Sequence, residues 1–228
     1  MSATRAHANP KFPGRHHAKW SRRGGAILLV LLALAVALPK MWVLLGETEP
    51  EGPRRAVFPL PKRYVGSYTN DWGASREQGR HEGTDIFAPE GTPVRSITNG
   101  TVVRAFGSRT DGWNTLGGYT VMIEAAYDIG PIREGDRLYY AHLRAPSPLE
   151  PGEKVRAGQK IGEVGRTAGE KEGTVQDFPP HLHLGWYAGW SIFGENRAQA
   201  ASGAMNPYPL LRRIERGELR SGPRNEQP

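Results

Sequence analysis

His181-Leu182-His183-Leu184-Gly185-Trp186-Tyr187 alternates imidazole and leucine through its first four positions. Side chains of a strand alternate between its two faces, so both imidazoles share one face while Leu182 and Leu184 enter the other. The same period of two recurs upstream in Thr92-Pro93-Val94-Arg95-Ser96-Ile97, in Thr101 to Phe106, Tyr119 to Glu124, Arg137 to Leu143 and Lys160 to Gly165. Asn99-Gly100 reads as a hairpin turn between the first two of these upstream runs. The 29 glycines and 19 prolines punctuate helices rather than propagate them. No amphipathic helical period runs between residues 85 and 190. The pattern predicts an all-β domain of mainly antiparallel sheet, with long loops at 107–118, 127–136 and 166–180 that could wall a groove.

Two imidazoles on one strand face gain nothing from burial in an apolar core, where each needs a hydrogen-bond partner. They can bind a metal together, one can bind while its neighbour handles a proton, or both can face solvent. His81-Glu82-Gly83-Thr84-Asp85 supplies a second pair of metal-ligand type, an imidazole and a carboxylate on a loop entering the strand Thr84-Asp85-Ile86-Phe87. His142 ends the strand Leu138 to Leu143 with no local ligand partner. His7, His16 and His17 lie in a polar N-terminal arm and read as solvated residues.

Outward from the domain, charge separates the chain into segments. The formal net charge is +7, but residues 1–46 hold seven of the 30 basic residues and no acidic one. The remaining 23 basic residues balance 23 acidic ones, so the body carries no excess to neutralise phosphates, and no nucleic-acid partner is expected on this ground. The basic arm, 1–25, precedes the apolar segment 26–45. Ala26 to Leu38 is uninterrupted, Pro39 and Lys40 follow, and Met41 to Leu45 resumes. Those 20 residues match the length of a transmembrane helix, and basic residues before with Glu47, Glu49 and Glu51 after put the body outside the cytoplasm. The rival is a cleaved signal peptide ending at Ala35-Val36-Ala37, which would release a secreted protein. Residues 46–63, with four prolines, read as an extended linker, 64–210 as the domain, and 211–228 as a charged tail with room for a short helix. Cysteine is absent.

Taken in order, Gly79-Arg80-His81-Glu82-Gly83-Thr84-Asp85-Ile86, Gly91-Thr92-Pro93-Val94, Gly117-Gly118-Tyr119-Thr120-Val121, Tyr140-Ala141-His142-Leu143, Val155 to Gly162, Pro180-His181-Leu182-His183 and Asn206-Pro207 resemble the LytM/lysostaphin-type peptidases, family M23 of the zinc metallopeptidases. The resemblance covers residues 64–210 and implies a β-sheet domain of the duplicated-hybrid-motif type that cuts peptides of bacterial peptidoglycan. It implies Zn²⁺ held by His81, Asp85 and His183, with His142 and His181 catalytic. A cation on two neutral imidazoles and one carboxylate keeps positive charge and an open position, and lowers the pKa of its water from about 16 to about 7. Ser75 to Arg80 lacks the tyrosine that some members carry before the first ligand, so the resemblance names no oxyanion-stabilising group here.

Two other readings compete. In one, the domain is a membrane-anchored, non-catalytic cell-wall-binding or activator module. In the other, the Gly-rich run Val155 to Gly165 belongs to a group-carrier domain, which needs a lysine on a hairpin tip. Lys154 and Lys160 lie in or beside strand-like segments instead.

Overall fold

A computed structural model describes residues 54–220, apart from 78, 110–111, 190–197 and 201. The basic arm 1–25 and the apolar segment 26–45 lie outside the described residues. Among the described residues no helix is long and apolar enough to cross a membrane.

One eight-stranded sheet organises the chain. It contains β3 (Thr84–Phe87), β5 (Gly100–Val103), β6 (Trp113–Asn114), β7 (Gly118–Ala125), β8 (Arg137–Leu143), β9 (Lys154–Val155), β11 (His181–Tyr187) and β12 (Ala204–Met205). The order is β12-β11-β8-β7-β5-β9, with β3 also on β11 and β6 on β7. Two short ribbons complete the strands: β1 (Ser75–Arg76) with β2 (Gly79–Arg80), and β4 (Pro93–Arg95) with β10 (Lys160–Glu163). These pairings are all antiparallel, as the alternation predicts.

The apolar half of each alternation builds the core. Leu182 pairs across strands with Ile86, Leu184 with Tyr140, and Ile123 with Leu138, and all six are buried. Each aliphatic side chain so buried contributes about 1.5–3 kcal/mol relative to exposure. Tyr140 belongs among them because its hydroxyl accepts the Ile97 backbone N–H at 2.9 Å, so its one polar group is not orphaned.

Asn99-Gly100 is not the hairpin turn read from the sequence. Gly100 begins β5, and β5 pairs with β7 and β9 rather than with β4. The glycine is required by a close backbone approach: a Cβ there would stand 2.2 Å from the Glu124 carbonyl oxygen. Asn99 accepts the Ala157 N–H at 2.8 Å through its side chain.

The packed body runs past both boundaries read from the sequence. Ala56 and Leu60, in the stretch read as a linker, are buried, and Val57 N–H donates to the Ile97 carbonyl at 2.9 Å. At the other end, α1 (Pro207–Glu215) buries Pro207, Leu210, Leu211 and Ile214, the i, i+3, i+4, i+7 stripe of a one-sided helix. Asn206 caps it, its side-chain oxygen accepting the Tyr208 N–H at 2.9 Å, and Pro207 occupies the first turn, where no donor is needed. Leu219 then folds back, and the Ala56 N–H donates to its carbonyl at 3.0 Å beside an antiparallel bridge between Arg55 and Arg220.

Of the three long loops, 127–136 serves the body. Ile129 and Ile132 are buried, and the buried Asp136 carboxylate accepts from Trp186 Nε1 at 3.0 Å and from the Gly189 N–H at 2.9 Å. The other two approach the polar face of β11.

Candidate active site

Antiparallel pairing sets Asp85 of β3 directly opposite His183 of β11, and Phe87 opposite His181. Opposed residues share a face, and with Ile86, Leu182 and Leu184 committed to the core, the polar partners meet on the other side. His183 Nδ1 lies 3.0 Å from Asp85 Oδ1. His81, on the loop between β2 and β3, brings its Nε2 to 3.1 Å from the same oxygen and 3.0 Å from His183 Nδ1. One donor atom from each of the three residues falls within 4.8 Å of the others, a set that could hold a metal ion. Two imidazole nitrogens and a carboxylate oxygen suit zinc and leave a fourth position open.

The electrostatics fit a cation. Burial would pull the His81 pKa down, but hydrogen bonds and charge from Asp71 and Asp85 win and raise it to about 9. Burial would likewise raise Asp85, yet hydrogen bonds from His183 and His81 hold it well below the usual carboxylate range. The site therefore keeps a negative carboxylate against imidazoles and retains a proton that a metal would displace.

Gly83 makes room for this cluster. A Cβ on it would lie 2.3 Å from His183 Cε1 and 2.8 Å from the Leu184 carbonyl oxygen. The ring cannot retreat without leaving Asp85, so Gly83→Ala is expected to displace His183 and to weaken any metal binding by the trio. Metal content by mass spectrometry, with circular dichroism to confirm the fold, checks this. A variant that keeps parental metal content would refute the packing argument.

Two more histidines border the trio. The His142 and His181 ring centroids are 4.8 Å apart, and His142 lies 5.9 Å from His183. His181 Nδ1 donates to the Pro179 carbonyl at 2.8 Å, and its Nε2 stands 3.7 Å from Asp85 Oδ1. His142 Nδ1 donates to the Thr167 carbonyl at 2.9 Å. A carbonyl can only accept, so in each ring the proton sits on Nδ1 and the Nε2 lone pair is free. Burial first, then the neighbouring His183 and His181, push His142 down to about 3. Burial also lowers His181. Both stay neutral near pH 7, with Nε2 unprotonated.

His142 holds its position under backbone strain. It is the one non-glycine residue with positive φ among the described residues, at 57°. A Cβ-bearing residue is uncommon there, and such conformations persist only where surroundings enforce them. Here the His142 N–H donates to the Gly117 carbonyl at 2.7 Å, next to the register shift between β7 and β8. Loop 107–118 thus fixes the backbone of His142, and loop 166–180 fixes both rings through Thr167 and Pro179. Phe178 of that loop packs against His142 and His181 with centroids 4.9 and 5.0 Å away.

The profile of Peptidase family M23 matches residues 79–195, which is half of the chain. The chain belongs to peptidase family M23. Among curated relatives, the L-Ala--D-Glu endopeptidase of Bacillus subtilis (strain 168) is 39% identical over 166 residues, covering 71% of this chain and 44% of the relative. The glycyl-glycine endopeptidase ALE-1 of Staphylococcus capitis is 32% identical over 136 residues, covering 59% of this chain and 30% of that protein. A solved structure from Ruminococcus gnavus ATCC 29149, described as a glycyl-glycine endopeptidase lytM, aligns with TM-score 0.54 at 34% identity, covering 72% of this chain and 62% of that one. The M23 chain spans less than half the length of the curated relatives it matches.

All five residues singled out in the sequence of this M23 chain meet in one cluster. Two residues went unnoticed. Asp71 Oδ2 lies 3.0 Å from His81 Nδ1, and Arg76 Nη2 donates at 3.0 Å to both Asp71 Oδ2 and Asp85 Oδ2. The available signal was the pair of charges set in Asn70-Asp71-Trp72-Gly73-Ala74-Ser75-Arg76 just ahead of the histidine-carboxylate pair.

Proposed function

We propose that this M23 chain is a zinc-dependent endopeptidase that hydrolyses peptide bonds of bacterial peptidoglycan, with His81, Asp85 and His183 holding the zinc and His142 and His181 moving protons. The observation that carries this reading is the convergence of three ligand atoms beside two imidazoles whose Nδ1 protons are committed to backbone carbonyls. The names of the relatives above support the substrate class.

Bound there, zinc would supply a Lewis acid that polarises the scissile carbonyl and acidifies water near neutral pH. The chain's own residues supply the rest. His142 and His181, neutral and with Nε2 free, accept the proton of the attacking water and return it to the leaving amine. Their Nδ1 anchors fix each ring's orientation, so the accepting lone pair is aimed before substrate arrives. Phe178 covers both rings and helps exclude bulk water from them. We further infer that the apolar segment 26–45 tethers an extracytoplasmic domain, as its length and flanking charges favour.

The test is to incubate the full chain with purified peptidoglycan and to identify released fragments by mass spectrometry. New amine and carboxyl termini are expected, lost on chelation and restored by added Zn²⁺, with the L-Ala–D-Glu and glycyl-glycine bonds the first to examine. About one zinc per chain with uncut peptidoglycan from several wall types would overturn the enzyme reading and leave a binding module.

A further inference from the structure

A ring of contacts closes behind the metal-ligand atoms. His81 Nε2 faces the ligand cluster, while its Nδ1 points the other way, 3.0 Å from Asp71 Oδ2 and 3.3 Å from the Asp71 backbone carbonyl. Asp85 divides its two oxygens similarly: Oδ1 faces His81 and His183, and Oδ2 accepts from Arg76 Nη2 at 3.0 Å. The same Arg76 nitrogen binds Asp71 Oδ2 at 3.0 Å. One guanidinium nitrogen therefore ties the carboxylate behind His81 to the carboxylate that faces it across the cluster.

The local backbone makes this ring specific. The His81 N–H donates to the Ala74 carbonyl at 2.9 Å, and the Gly73 N–H donates to the His81 carbonyl at 2.8 Å. Asp71 and His81 are thus held on the two arms of one loop, with Arg76 on the β1 strand between them. His81 is 7% exposed and the Asp71 side chain 24%, against 44% for Arg76, so Asp71 is the more buried partner of the imidazole and Arg76 the buttress from solvent.

We propose that Asp71 is a positioning residue of the metal site: it accepts the Nδ1 proton of His81, fixing the tautomer that leaves Nε2 free for a cation, while Arg76 holds Asp71 and the outer oxygen of Asp85 in register. Outer carboxylates that orient a ligating histidine raise its basicity and fix its ring, and their loss typically costs about 10–100-fold in metal affinity. Arg76 has a mixed influence, because its positive charge opposes a cation that its hydrogen bonds help to seat. Asp71 is accordingly the residue whose removal has one sign.

This inference rests on the zinc reading given above, and the experiment separates the two. Zn²⁺ affinity of the full chain is measured by competition with a chromophoric chelator for the parent, Asp71→Ala, Asp71→Asn and Asp71→Glu. Asp71→Ala is expected to bind Zn²⁺ about 10–100-fold more weakly. Asp71→Asn keeps an acceptor oxygen and the shape of the side chain, so it loses less, and Asp71→Glu restores part of the affinity. Saturating Zn²⁺ should return most of the hydrolysis to Asp71→Ala. Parental Zn²⁺ affinity in both Asp71→Ala and Asp71→Asn would overturn the positioning role while leaving the enzyme reading intact. A parent chain that takes up no Zn²⁺ would overturn the zinc reading itself.

Discussion

A His183→Ala chain is expected to hold little zinc and to release no peptidoglycan fragments above background. His183 and Asp85 are the two proposed ligands that the sheet itself supplies, set opposite each other by the β3–β11 register. Its removal leaves one imidazole and one carboxylate, and a catalytic zinc site needs three protein ligands besides its open position. The substitution spares the fold, because the face that packs the core carries Leu182 and Leu184, not His183. Loss of metal with an unchanged circular dichroism spectrum is therefore the signature to seek, by elemental mass spectrometry on the purified full chain. A His183→Ala chain that retained zinc at parental affinity would mean that the ligand set has been misassigned.

The second large effect separates chemistry from metal binding. His142→Ala and His181→Ala are each expected to lower kcat by about 10²–10⁴-fold, the usual worth of a positioned proton-transfer group, while zinc content stays at the parental level. Neither ring belongs to the ligand trio, and each is anchored by its own carbonyl, Thr167 or Pro179. The double variant should lose little more than the worse single one, because groups that act on one proton path are not additive. Steady-state hydrolysis of a defined peptidoglycan fragment, beside metal analysis, reads both quantities. Undiminished kcat in either variant with zinc bound would remove that histidine from the mechanism.

The parts legible in the sequence are those whose physical cause is local. Alternation along Arg137 to Leu143 and His181 to Tyr187 declares strand and buried face within each run, and the two-residue spacing of His181 and His183 gives their common side directly. Resemblance then assembled the five residues across the chain. Pairing partners were less legible. Asn99-Gly100 has the composition of a turn, but its glycine answers the nearness of the Glu124 carbonyl, a contact between residues 24 positions apart that no local window holds. Residues 46–63 read as a linker because Pro50, Pro53, Pro59 and Pro61 stand among charges, yet Ala56 and Leu60 are enough to seat its second half. Asp71 and Arg76 escaped notice for a different reason. They lie in a segment without periodicity, and their meaning appears only when the loop brings the carboxylate to the back of His81.

The zipping of Ala56 to Leu219 and of Arg55 to Arg220 makes this body a cassette with its entrance and exit side by side. A module built this way can be spliced into the middle of a host chain as readily as appended to one end, because the host's two flanks need not be pulled apart to accommodate it. The same seam joins the first and last described residues in one small patch of hydrogen bonds, so a pull on either flank loads that patch before it loads the sheet. The strands that carry His183 and Asp85 are paired away from that patch, with each other, with β8 and with β12.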